Sequence, residues 1–212
     1  MPRSRTRSWS RWGHRPLRVL GVDPGLGRSG VALVDGHPGS LSLVFADCLE
    51  TSDEASDGQR LLDLGRSLAA LARRLRPEVA AVERLFFSTN RQTAMRVAEA
   101  RGVILCTLVG AGIPVAEYTP TQVKESVAGY GAASKPQVTR MCAALLGVDR
   151  IGGTDDTADA CAVAICHHHR EALLTRSGSR RGAAVTPGLE AAVAAARRRT
   201  LLSGPAVGAG PR

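Results

Sequence analysis

Four carboxylates, Asp23, Glu83, Asp156 and Asp159, occupy places in this sequence where a fold would aim them into one polar site. Asp23 closes an apolar run, Leu17-Arg-Val-Leu-Gly-Val-Asp23, and is followed by Pro24-Gly25 and a glycine-rich turn into a second apolar run from Gly30 to Asp35. Glu83 closes Val79-Ala-Ala-Val-Glu83, and an acid at the end of a buried run must be exposed, paired or working. Asp156 and Asp159 are three residues apart, which puts both on one face of a helix. Asp155 also shares a face with Asp159, and both Asp155 and Asp156 suit a helix N-terminus, so spacing alone leaves that choice open. Gathered carboxylates repel one another unless cations stand between them. Their natural partner is a hard divalent ion with retained waters, Mg2+ first. Two such ions ~3.5–4 Å apart would activate a water and stabilise the leaving oxygen of a phosphodiester.

The cations carry a second clue. Of 28 Lys plus Arg residues, only Lys124 and Lys135 are lysines. A chain that uses arginine almost everywhere has kept a compact ammonium at two neighbouring positions, as a phosphate or a metal-bound water would require.

At 212 residues and 44% hydrophobic content, the chain can bury one sizeable core. The net charge of +9 lies at the ends: residues 1–16 carry five arginines and no acid, and residues 170–212 carry eight arginines against two glutamates. Because the middle is slightly acidic, nucleic-acid binding cannot be read from overall charge and needs a local patch, helped by the tails. The five cysteines contain no C-x-x-C pair and read as free, buried thiols of a reducing compartment. Cys166-His167-His168-His169 lacks a second ligand pair at zinc-finger spacing, and histidines in the last turns of a helix are favourable there without a metal. No apolar run reaches the ~18 residues of a membrane helix, so a soluble, cytoplasmic protein is expected, with no membrane contact.

The elements that must position the acids follow from periodicity. Residues 1–16 read as a disordered basic arm. Strands are expected at 17–23, 29–35 and 40–48, close enough in sequence to form an antiparallel meander. Leu61, Leu62, Leu64, Leu68, Leu71 and Leu75 recur at helical spacing across 59–76, with Arg60, Arg66, Arg73, Arg74 and Arg76 mostly opposite, and Pro77 stops the helix. A strand at 79–83, a helix at 90–111, a strand at 113–117 and helices at 119–128, 136–146 and 155–174 complete an α/β layer with a mixed five-stranded sheet flanked by helices. Residues 176–212 read as a low-complexity tail. If the first and fourth strands lie side by side and parallel, Asp23 and Glu83 share one sheet edge, and the last helix needs only to cross it.

Several stretches together resemble the RuvC family of bacterial Holliday junction resolvases, in order from about 17 to 170. They are Arg18-Val-Leu-Gly-Val-Asp-Pro-Gly-Leu-Gly-Arg-Ser-Gly, Ala81-Val-Glu-Arg-Leu-Phe-Phe, Ala98-Glu-Ala-Arg-Gly-Val, Tyr118-Thr-Pro-Thr-Gln-Val-Lys, Lys135-Pro-Gln-Val and Thr157-Ala-Asp-Ala-Cys-Ala. The resemblance implies a ribonuclease-H-like fold over a nuclease domain at 17–175. It also implies a homodimer with two active sites and paired symmetric nicking of four-way DNA junctions in recombination and repair. Two Mg2+ ions per site are implied, with Mn2+ as a substitute, and the branch-migration proteins RuvA and RuvB as partners. Asp23 and Glu83 match the family's first two acids. Its spacing between the last two selects Asp156 over Asp155, with Asp159 as the fourth. Phe86 matches an aromatic that stacks on a base of the opened junction, a contact worth ~1–3 kcal/mol. Lys124 and Lys135 match lysines near the scissile phosphate. The Arg-rich arm is an addition to the family pattern, and Ala133-Ser134 stands where an alanine followed by an acid is more usual.

The competing readings are weaker. Actin-like ATPases and sugar kinases share a Gly-x-Asp-x-Gly turn between strands but need a second lobe that this length cannot supply. A junction binder without catalysis has no use for four acids and two lysines. An RNA-processing nuclease of the same fold is a further alternative.

Overall fold

The computed structural model describes residues 16–84 and 91–176. The basic arm, the tail beyond 176 and Phe86 lie outside the described residues.

Five strands, β1 (Leu17–Asp23), β2 (Arg28–His37), β3 (Ser40–Glu50), β4 (Val79–Glu83) and β5 (Val115–Tyr118), form one sheet in the order β3-β2-β1-β4-β5. The β1–β2 and β2–β3 pairs are antiparallel, whereas β1–β4 and β4–β5 are parallel. The meander and the parallel β1–β4 pairing are those expected from the sequence. Short Pro- and Gly-bearing turns can only return the chain antiparallel, whereas α1 (Asp57–Leu75) and α2 (Arg91–Gly110) are long enough for parallel crossovers. The chain ends with α3 (Pro120–Ala128), α4 (Lys135–Leu146) and α5 (Asp155–Arg176).

Alternation along the strands separates two cores. Leu20, Val22, Val31, Leu33, Ala80 and Val82 face Leu64, Leu68 and Leu71 of α1 and Ala100, Ile104 and Leu108 of α2. Val19, Ala32, Val34, Ala81 and Ala116 face the other way, onto Ala160, Val163 and Ala164 of α5. By the same period of two, Asp23, Arg28, Gly30 and Glu83 belong to the α5 face.

The approach of α5 depends on two glycines. A Cβ at Gly21 would stand 2.0 Å from the Ala160 carbonyl oxygen, and one at Gly30 would stand 1.9 Å from that of Asp156. Contacts this short exclude any side chain, so the helix rides directly on β1 and β2 at these points. Helix α3 starts with a capping box, Thr119 accepting from the Gln122 amide while the Gln122 side chain accepts from the Thr119 amide. Gly129 then ends it in the left-handed region at φ 84°, a conformation that costs glycine nothing.

Two expectations need correction. Arg60, assigned by spacing to the solvent side of α1, is buried: its Nε donates to Thr51 Oγ1 at 3.0 Å and its guanidinium pairs with Asp53 at 2.8 Å. Thr51 in turn donates to the Leu26 carbonyl at 2.6 Å, so a buried arginine ties the β3–α1 loop to the turn after Asp23. Among the cysteines, Cys142, Cys161 and Cys166 are buried thiols as expected, but Cys48 is half-buried and Cys106 is exposed.

Candidate active site

Asp23 and Glu83 are the last residues of β1 and β4, whose parallel register runs to Val22 beside Val82. The two carboxyl groups therefore end adjacent strands on the same face. Burial pushes Asp23 up to about 8, reinforced by the charges of Glu83, Asp159 and Asp156 and eased by Lys135. Burial likewise raises Glu83 to about 7, with Asp159 adding to the effect while Asp23, Lys124 and Lys135 relieve it. Carboxyl groups held this far above their ordinary range are short of positive charge.

The first turn of α5 delivers the other acids. Asp159 Oδ2 lies 2.8 Å from Lys135 Nζ at the start of α4. Partial burial works against the Lys135 ammonium, but its bond to Asp159 and the surrounding aspartates prevail and raise its pKa. Asp156 turns inward, its side chain 23% exposed, with Oδ2 3.2 Å from Arg28 Nε and accepting from Thr154 Oγ1 at 3.3 Å. Asp155 is 84% exposed and reaches only the outer side of Lys135, at 3.7 Å. Of the two, it is Asp156 whose charge acts on Asp23.

Glu83, Lys124, Lys135 and Asp159 line a cavity of about 210 Å³, floored by Val123, Val138 and Ala162. The four acids and two lysines singled out in the sequence thus share one site. Arg28 and the two close-approach glycines, Gly21 and Gly30, are the members that sequence reasoning missed. Glycine in a buried strand was the available signal for the latter.

The donor set suits a divalent cation in charge and in chemistry. All four candidate ligands are carboxylates, the deepest two are raised by desolvation and by the charge of Asp159, and the outer two already attract the cations Lys135 and Arg28. Among the described residues, no three acidic, histidine or cysteine side chains already stand as a cation cage.

The Cys166–His169 stretch serves packing. Cys166 Sγ lies 3.2 Å from Ser126 Oγ, His167 Nδ1 2.8 Å from Tyr118 Oη, His168 Nε2 3.1 Å from the Val34 carbonyl and His169 Nδ1 2.8 Å from the Ser126 carbonyl. The helix-dipole role expected for these histidines does not hold at His167 and His168. Both lie in the body of α5, and burial lowers each to about 4, which leaves them neutral.

A mixed sheet of this order, with acids ending its first and fourth strands and a closing helix laid across them, defines a nuclease of the ribonuclease-H-like class. The family model for crossover junction endodeoxyribonuclease RuvC matches residues 19–167, and the chain belongs to that family. It is similar to the crossover junction endodeoxyribonuclease RuvC of Syntrophomonas wolfei, 42% identical over 172 residues that cover 78% of this chain and 100% of the relative. The solved structure of Thermus thermophilus RuvC superposes with a TM-score of 0.67 at 32% identity, over 77% of this chain and 98% of that one. T. thermophilus RuvC in complex with Holliday junction substrate gives 0.66 at 29% identity, over 77% and 97%. Among the described residues, no helix is long and apolar enough to cross a membrane.

Proposed function

We propose that this protein resolves Holliday junctions by nicking two DNA strands symmetrically, through metal-assisted hydrolysis at Asp23, Glu83, Asp156 and Asp159. The observation that carries the reading is the convergence of half-buried Asp23 and Glu83 on Asp159, with pKa values raised by desolvation and by the charge of Asp159. The likeness to T. thermophilus RuvC bound to a Holliday junction supports the substrate.

Asp23 and Glu83, raised but close to neutrality, give up their protons at a modest cost when a cation arrives. Divalent ions, Mg2+ by the oxygen-only donors and Mn2+ as a substitute, would supply activation of a water and charge stabilisation at the leaving oxygen. Lys135, bonded to Asp159, would exchange that carboxylate for a non-bridging phosphate oxygen. Lys124 offers a second ammonium across the same cavity, and the two lysines orient the scissile phosphate over the acids. Phe86, three residues after Glu83, would stack on a base at the opened junction.

Paired nicking of a two-fold-symmetric junction calls for two such sites, hence a homodimer. RuvA and RuvB are the proposed branch-migration partners, and the cytoplasm the proposed compartment. The test is Asp23→Asn, assayed for cleavage and for binding of a synthetic four-way junction. Cleavage is expected to disappear while binding persists, and undiminished cutting would remove Asp23 from the chemistry.

A further inference from the structure

Arg28 stands outside the motif acids and lysines, yet it touches one of those acids through a rigid frame. Gly30 and Arg28 lie two residues apart on the same face of β2. At Gly30 the strand meets the backbone of Asp156 so closely that a Cβ would come within 1.9 Å of its carbonyl oxygen. That contact fixes the first turn of α5 relative to β2 and brings the Asp156 carboxylate over Arg28. The preceding turn is locked as well: Ser29 Oγ donates to the Gly25 carbonyl at 2.6 Å and accepts from the Gly25 amide at 3.1 Å.

Among the described residues, both polar contacts of the Asp156 side chain fall on one oxygen. Arg28 Nε lies 3.2 Å from Oδ2, and Thr154 Oγ1 donates to the same atom at 3.3 Å. We propose that Arg28 is a positioning residue for the metal site: with Thr154 it clamps Oδ2 of Asp156, so that Oδ1 is left to meet a cation beside Asp23. This rests on the metal-nuclease reading above. Ligating carboxylates are commonly held this way by an outer partner.

The clamp makes a prediction opposite in sign to that of a bare neighbouring charge. A guanidinium near a cation site repels the cation, so removing it tightens metal binding if charge is all that matters. Removing a clamp frees the carboxylate rotamer and weakens binding. Loss of such outer partners typically costs 10–100-fold in metal affinity; Arg28 is 58% exposed, which places it near the low end, about tenfold.

The experiment titrates Mn2+ into the DNA-free full-length protein, following free ion by electron paramagnetic resonance, for the unaltered chain, Arg28→Ala, Arg28→Lys, Thr154→Val and the remote surface variant Arg66→Ala. Arg28→Ala is expected to bind Mn2+ about tenfold more weakly. Arg28→Lys should fall between Arg28→Ala and the unaltered chain, because an ammonium keeps the charge without the planar donor. Thr154→Val should weaken binding with no change of charge, and Arg66→Ala should match the unaltered chain. Arg28→Ala binding Mn2+ as tightly as the unaltered chain, or more tightly, would overturn the clamp. Asp23→Asn is run beside them: if it binds Mn2+ like the unaltered chain, the metal reading itself fails, whatever Arg28 does.

Discussion

The site acids should make the metal-free protein less stable as pH rises, and Asp23→Asn should undo this. Asp23 is raised to about 8 in the folded chain, against an ordinary value near 4 when unfolded. A carboxyl whose folded pKa is raised contributes stability that is fully present below the unfolded pKa and is lost as pH rises through the folded one. Each pH unit in that window costs about 1.4 kcal/mol. Between pH 6.5 and 8.5, where ionisation of folded Asp23 completes, the loss from Asp23 is about 2 kcal/mol. His167 and His168 act in the opposite sense. Their folded pKa values of about 4 are depressed, so stability rises with pH until the unfolded histidines lose their protons near 6.5. This contribution is common to both proteins and cancels in the comparison. Asp23→Asn should therefore melt above the unaltered protein in EDTA, with a margin that widens by about 4–8 °C from pH 6.5 to 8.5 for a domain of this size. Saturating Mg2+ should narrow or reverse the margin, because a ligand of the folded state stabilises the chain that binds it. Differential scanning calorimetry in EDTA at a series of pH values measures it. A margin that stays flat or shrinks as pH rises would refute the argument that Asp23 is held protonated by burial and like charge.

Other consequences are simpler. Gly30→Ala places a methyl group 1.9 Å from the Asp156 carbonyl oxygen, so calorimetry should show a loss of about 1–3 kcal/mol, and cleavage should fall further than stability as α5 is pushed off β2. Phe86→Ala should lower junction cleavage by the loss of ~1–3 kcal/mol of stacking while leaving Mn2+ affinity unchanged; an unaltered cleavage rate would take Phe86 out of the junction contact. Deleting residues 1–16, with their five arginines, should weaken DNA binding mainly at low salt, and an unchanged salt slope would show that the arm does not touch DNA.

The parts of this fold that were legible in the sequence are those written in local pattern. The alternation of Leu17–Asp23 and Arg28–His37, the leucine spacing of α1 and the Thr-Pro-Thr-Gln start of α3 each name their element within a residue or two of its observed ends. The acids were legible because Asp23 and Glu83 close apolar runs, where an acid must be exposed, paired or working. Side-chain partnerships between distant segments were not. Arg60 reads as a surface residue by helical phase, yet the β3–α1 loop folds over it and supplies Thr51 and Asp53. Arg28 reads in the sequence as one more turn residue, yet it opens β2, and only the approach of α5 at Gly30 reveals Asp156 above it. The histidines after Cys166 resemble a helix terminus in sequence, but α5 continues to Arg176 and buries two of them as neutral groups.

The measurement that tests the central claim most directly is cleavage of a synthetic mobile four-way junction by the full-length protein in Mg2+, beside a linear duplex of the same sequence and an EDTA control. Symmetric paired nicks on the junction alone, absent in EDTA, are the predicted result. Equal cutting of the duplex, or tight junction binding with no cleavage in Mg2+, would contradict it.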